Sequence, residues 1–171
     1  WIANVVVNPN VSGSENKESY RDVVLFFQDE DNLVGTSFMP YIKDVAGLTG
    51  VNYRSEPAAW RLELGCSPAS VFACVDAGVP ATPVIKAHAG DLVKVHILVP
   101  FSEQNGAFSI EGHKFPLEER MQGSEFLSSI QFGALDALTL VMHAGGPFRL
   151  PGDYVWMNHR MPYMEAGQWG L

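Results

Sequence analysis

The chain has 171 residues, 47% of them hydrophobic, with 19 acidic and 11 basic side chains and a formal charge of −8. That is enough apolar material for one domain with a sizeable core, or for one domain plus an extended arm. The acidic balance without a basic run argues against a nucleic-acid partner, and no apolar run approaches the roughly 20 residues of a membrane-spanning helix.

The opening, WIANVVVNPNVSGSENKESY, is a short apolar run followed by polar, Ser/Asn/Glu-rich sequence. It predicts an N-terminal arm and loop over 1–19, ahead of a domain over 20–171. The chain starts at Trp1 without a charged-then-apolar leader, the expectation being a processed chain or part of a longer one. The run RDVVLFFQDED is β-branched and aromatic between charges, which predicts a buried strand. From Asn32 to Glu56 no clear periodicity emerges, and a long loop is expected.

AWRLELG alternates as a strand would, and GVPATPVIKAHAGDLVKVHILVP predicts two strands around the AGD turn. GAFSIEGHKFPL supplies another strand, Ser128 to His143 one or two more, and GGPFRLPGDYVWMNH a turn and a last strand. No amphipathic helix of ten residues stands out. Short strands punctuated by Gly and Pro predict an all-β sandwich or barrel, mostly antiparallel, with long loops. Cys66 and Cys74, in GCSPASVFAC, have neither the redox nor the haem-attachment spacing. They are read either as a disulfide, which would suit an extracytoplasmic compartment, or as buried thiols.

Three segments in order carry a family resemblance. TPVIKAHAGDLVKVHILVP is similar to the strand pair before the first ligand loop of cupredoxin domains. NGAFSIEGHKF resembles the HPFHLHGH segment of multicopper oxidases, and PGDYVWMNHRMPYMEAGQWGL their closing PGxYxxHCHIxxHxxxGLxG segment. YRDVVLFFQDED and NYRSEP resemble the start of cupredoxin domains in large bacterial multicopper oxidases. The resemblance implies a cupredoxin-like Greek-key sandwich.

It also implies where copper ligands would stand. A blue-copper centre needs a thiolate, two imidazoles and a weak axial ligand. By the resemblance the thiolate position holds Asn158, the two imidazole positions Gly106 and Tyr163, and the axial position Gln168. The His-x-His pairs of a trinuclear centre fall on Ser109 with Glu111 and on Met157 with His159, so one histidine remains.

Strand alternation places Tyr154, Trp156 and Asn158 on a core face. It turns Met157 and His159, with Ser109 and Glu111, outward toward where a neighbouring cupredoxin domain sits in that family. His159, Met157 and Met161, with Met164, are candidates for Cu(I); the alternative is packing, for which methionine is equally suited. Glu111 beside His159 reads as an acid/base pair or as a polar interface contact. His88 and His96 read as solvated or hydrogen-bonded strand residues, His143 as a turn residue and His113 as a structural hydrogen-bonding group. Arg54, Glu56 and Arg61 are expected to pin the long loop. A sequon at Asn10 carries little weight.

The expected function is a copper-free, non-catalytic cupredoxin-like domain with no resident cofactor. It would serve in a larger extracytoplasmic assembly, packing against a neighbouring cupredoxin domain or another subunit. The alternative is a domain of an active copper or manganese oxidase, or a Cu(I)-binding module.

Overall fold

The computed structural model describes residues 6–7, 20–29, 49–102, 104–119 and 121–171. Most of the segment expected as an N-terminal arm, with Asn10, and residues 32–48 of the segment expected as a long loop lie outside the described residues. Eleven strands are described: β1 (Val6–Val7), β2 (Arg21–Gln28), β3 (Gly50–Val51), β4 (Leu92–Phe101), β5 (Gly106–Ile110), β6 (Phe115–Pro116), β7 (Phe126–Leu127), β8 (Ile130–Phe132), β9 (Ala137–His143), β10 (Trp156–Asn158) and β11 (Trp169–Gly170). One sheet runs β1-β2-β4-β9 with β3 on β2, a second runs β11-β10-β5-β8, and β6 pairs with β7.

The core forms where these two sheets meet. On β2 and β4 every second residue is buried, Val23, Leu25 and Phe27 on one strand and Val93, Val95, Ile97 and Val99 on the other. β2 is therefore half-buried, with Phe26 on its outer face 39% exposed. From the second sheet come Phe108, Phe132 and Trp156; Phe27 meets Phe108 and Trp156 edge-on, with ring centroids 5.9 and 6.1 Å apart. Such edge-to-face contacts add about 0.5–1.5 kcal/mol each beyond burial. The fold is thus the expected all-β sandwich, with one departure from antiparallel pairing: β2 and β4 run parallel.

Two expected strands are absent. AWRLELG is not a strand: Ala58–Glu63 forms α1, ending at Gly65 with φ +98°. Ala, Arg, Leu and Glu are strong helix formers with no β-branched residue among them. Trp60, Leu62 and Leu64 are exposed and Arg61 is buried. The first strand expected before the AGD turn is a segment over 83–88 with no regular secondary structure. Its one main-chain bond to a strand end runs from Ile85 N to the carbonyl of Leu171, 2.6 Å. A second short helix, α2 (Met161–Glu165), leads into β11.

Arg61 explains how α1 is held. Its guanidinium donates to the carbonyls of Val71 (2.6 Å), Cys74 (3.0 Å) and Gly78 (3.1 Å) and to Glu56 Oε1 (2.6 Å). Glu56 Oε2 also accepts from the Ala81 N–H, and the Glu56 carbonyl from Trp169 Nε1 at 2.8 Å. Within the same loop Cys66 and Cys74 are joined by a disulfide, with Cα atoms 5.8 Å apart. Arg61 and Glu56 thus pin the segment over 66–81 and β11, whereas Arg54 is exposed beside a tight bridge to Val51.

Candidate functional site

β5, β10, α2 and β11 bring the ligand-position residues together. β10 pairs antiparallel with β5 (Met157 opposite Ser109, Asn158 opposite Phe108) and with β11 (Trp156 opposite Gly170, Met157 opposite Trp169). Trp156 and Asn158 point into the core, 1% and 2% exposed, while Met157 is half-buried and His159 exposed.

The inward group is a closed amide network. Asn158 Oδ1 accepts from the N–H groups of Ala107 (3.1 Å) and Arg160 (3.0 Å), and Nδ2 donates to Gln168 Oε1 at 2.6 Å. Gln168 Nε2 donates to the Gln28 carbonyl at 3.3 Å, tying the two sheets together. Gly106 lies against this network: a Cβ there would sit 2.6 Å from both Asn158 Oδ1 and Phe132 Cζ. The space a side chain at 106 would need is filled by the carboxamide and the ring. Tyr163 is buried in α2, its ring 5.8 Å from the Arg160 guanidinium and its carbonyl accepting from Gln168 N at 2.9 Å.

The outward group is smaller. Ser109 Oγ and His159 Nε2 are 2.6 Å apart. Ser109 is thus the described partner of the His159 ring, and Glu111 is exposed with its N–H donating to the Val155 carbonyl. Met161 opens α2 and is 54% exposed; Met164 is buried. Among the described residues no cluster of three or more His, Cys, Asp or Glu is placed to hold a metal ion.

The other histidines are placed in hydrogen-bonded positions. The backbone N–H groups of Gly145 and Gly146 both donate to His113 Nε2 at 3.1 Å, so the proton sits on Nδ1, which donates to the Glu111 carbonyl at 2.8 Å. His96 bridges Asp22 (3.1 Å) and Thr139 (2.9 Å) across three strands. Arg21 donates to His88 Nδ1 at 2.9 Å and to Asp91, and His143 Nδ1 reaches the Gly90 carbonyl at 3.2 Å. Arg61, expected as a pinning residue, is a buried hub, whereas an alternating strand would turn it to solvent; its sequence signal is the nearby Glu56.

No protein-family model and no curated protein sequence matches the chain. Solved structures do. One described as a multicopper oxidase is 18% identical with a TM-score of 0.53, covering 87% of this chain and 42% of its own. A copper-containing nitrite reductase from Thermus scotoductus is 15% identical with a TM-score of 0.53, covering 87% and 29%. A multicopper oxidase from Campylobacter jejuni is 14% identical with a TM-score of 0.54, covering 98% and 32%. The chain therefore spans less than half the length of each of these neighbours. No helix among the described residues is long and apolar enough to cross a membrane. At these identities the likeness is one of fold, and the chain has the cupredoxin fold found in multicopper oxidases and copper nitrite reductases.

Proposed function

We propose that this chain is a copper-free, non-catalytic cupredoxin-like domain that works as a structural unit of a larger molecule. The observation that carries the reading is the amide network around Asn158. The donors that meet at the blue-copper position are two carboxamides, with a glycine where an imidazole would stand. Copper in such a centre needs a thiolate and imidazoles; this donor set does not fit it. The network is also already satisfied, so an ion entering it would have to break hydrogen bonds worth about 1 kcal/mol each.

The outward face of Ser109, Glu111, Met157 and His159 is the surface we assign to a neighbouring cupredoxin domain or another subunit. A half-buried methionine beside a polar pair suits an adaptable interface. That the chain spans under half the length of its structural neighbours supports its being one unit among several. The Cys66–Cys74 disulfide supports an extracytoplasmic setting.

Copper loading tests the reading. After incubation with Cu(II) or Cu(I) and dialysis, the protein is expected to retain well under one copper per chain and to show no intense visible band. One retained equivalent, or a thiolate-type blue absorption, would overturn it.

A further inference from the structure

The outer face of the β1-β2-β4-β9 sheet is polar at one end and apolar at the other. Residues opposite each other on paired strands share a face, so Phe26, Leu98 and Ala137 form one row across three strands. A shift in register then sets Phe101 opposite Gln28, two residues on from Phe26 and on the same side. None of these four apolar side chains is buried. Toward the other end the rows carry His96 with Thr139 and Lys94 with Asp22.

A strained turn stands at each end of the apolar row. Val51 and Arg54 exchange main-chain hydrogen bonds of 2.9 and 3.0 Å around Asn52 and Tyr53, which both have positive φ. Such a two-residue turn favours glycine at its second central position, where this chain has Tyr53. The turn is fastened beside Phe26: the Asn52 carboxamide accepts from the Phe26 N–H at 2.7 Å and donates to the Val24 carbonyl at 3.0 Å. At the other end Leu135, with φ +67°, donates its N–H to the Val99 carbonyl at 2.7 Å, two residues before Ala137. The left-handed region is costly for bulky side chains, and here Tyr53 is 87% and Leu135 84% exposed. The fold thus accepts backbone strain twice, each time setting a large apolar side chain in solvent beside the same row. Strain of this kind points to function.

Charge decides what covers the surface. The chain carries −8, so two copies repel over most of their exteriors, but the row itself is uncharged. Arg54 follows Tyr53 at one end and Asp136 follows Leu135 at the other; both are exposed, and neither forms an ion pair among the described residues. A two-fold contact places each residue of one copy against its counterpart's partner in the other. With the axis along the strands, the Tyr53–Arg54 end of one copy lies on the Leu135–Asp136 end of the other. Apolar side chains then meet in the middle and opposite charges meet at both rims.

We propose that this face joins two copies of the chain, row against row, about a two-fold axis. The surface is on the sheet opposite the Ser109–His159 face, so the dimer leaves that face free for a different partner. The proposal does not depend on the copper-free reading, which copper retention tests separately.

Sedimentation equilibrium tests it. The chain is expected to form a reversible dimer with a Kd of about 10–100 μM, weak because the patch is small. Tyr53→Gly and Leu135→Gly should each weaken association by ~10-fold or more. In dilute, monomeric samples each should also raise Tm by about 2–4 °C as the strain is relieved, which excludes misfolding as the cause. Arg54→Asp and Asp136→Arg should each associate poorly alone, while an equimolar mixture of the two should recover the parent's affinity, because both rims then pair again. A chain that stays monomeric up to about 1 mM would overturn the proposal. So would a dimer whose Kd is unchanged in the two glycine variants, or a mixture that associates no better than its components.

Discussion

Asn158 shows how a polar side chain can sit in the middle of a sandwich. Each of its amide atoms faces a partner of the opposite kind, and removing the group strands the donors of Ala107 and Arg160 and the acceptor of Gln168. Leaving buried groups unsatisfied costs about 1–3 kcal/mol. Asn158→Ala is therefore expected to lower the unfolding free energy by roughly that amount in urea titration; an unchanged midpoint would mean the network contributes nothing. A second residue-scale effect concerns acid. Arg21, followed by the His88 N–H, holds the Asp91 carboxyl below its ordinary value of 3.8. The folded state thus prefers the ionised form. Its contribution is in place above the unfolded value and is lost as pH falls below about 4 through the folded one. Asp91 is a third exposed, so solvent screens the effect. Asp91→Asn should flatten the fall in stability between about pH 4 and pH 2 relative to the parent, and parallel curves would refute the linkage.

Among the elements, α1 and the disulfide loop depend on one another. The helix has six residues, too few to be stable alone. It is held because Arg61 points back into the loop that Cys66 and Cys74 close. Cysteines eight residues apart give a short loop, for which chain-entropy arguments suggest about 2.5 kcal/mol. Cys66→Ser with Cys74→Ser is expected to lower stability by about 2–3 kcal/mol. Greater protease sensitivity around 66–78 should accompany it, because the Arg61 acceptors lie on that loop. A loss confined to stability, with no change in local proteolysis, would separate the disulfide from the helix. AWRLELG illustrates the ambiguity of short segments. Alternation over seven residues fits a strand, but the buried member is the arginine, and a core arginine is intelligible only once Glu56 and the carbonyls of Val71, Cys74 and Gly78 fold back around it.

For the molecule as a whole, the two sheets enclose a shared aromatic centre of Phe27, Phe108, Phe132 and Trp156. The sequence by itself determined the all-β class, since β-branched and aromatic runs of strand length are bounded by Gly, Pro and charge. β2, expected as a buried strand, is buried on one face only, because the second sheet covers just that side. Tertiary structure alone decided the rest. The parallel pairing of β2 with β4 joins segments some seventy residues apart, and no local pattern encodes the partner of a strand. The segment over 83–88 reads as a strand by its residues, yet a strand exists only where a neighbouring strand supplies its hydrogen bonds, and among the described residues the one such bond is that of Ile85 to Leu171. Asn158, Gln168 and Gly106 stood out in the sequence through the resemblance alone. That they form a satisfied network with no room at Gly106 became visible only when three elements met, because a hydrogen bond depends on distance in space and not on separation along the chain.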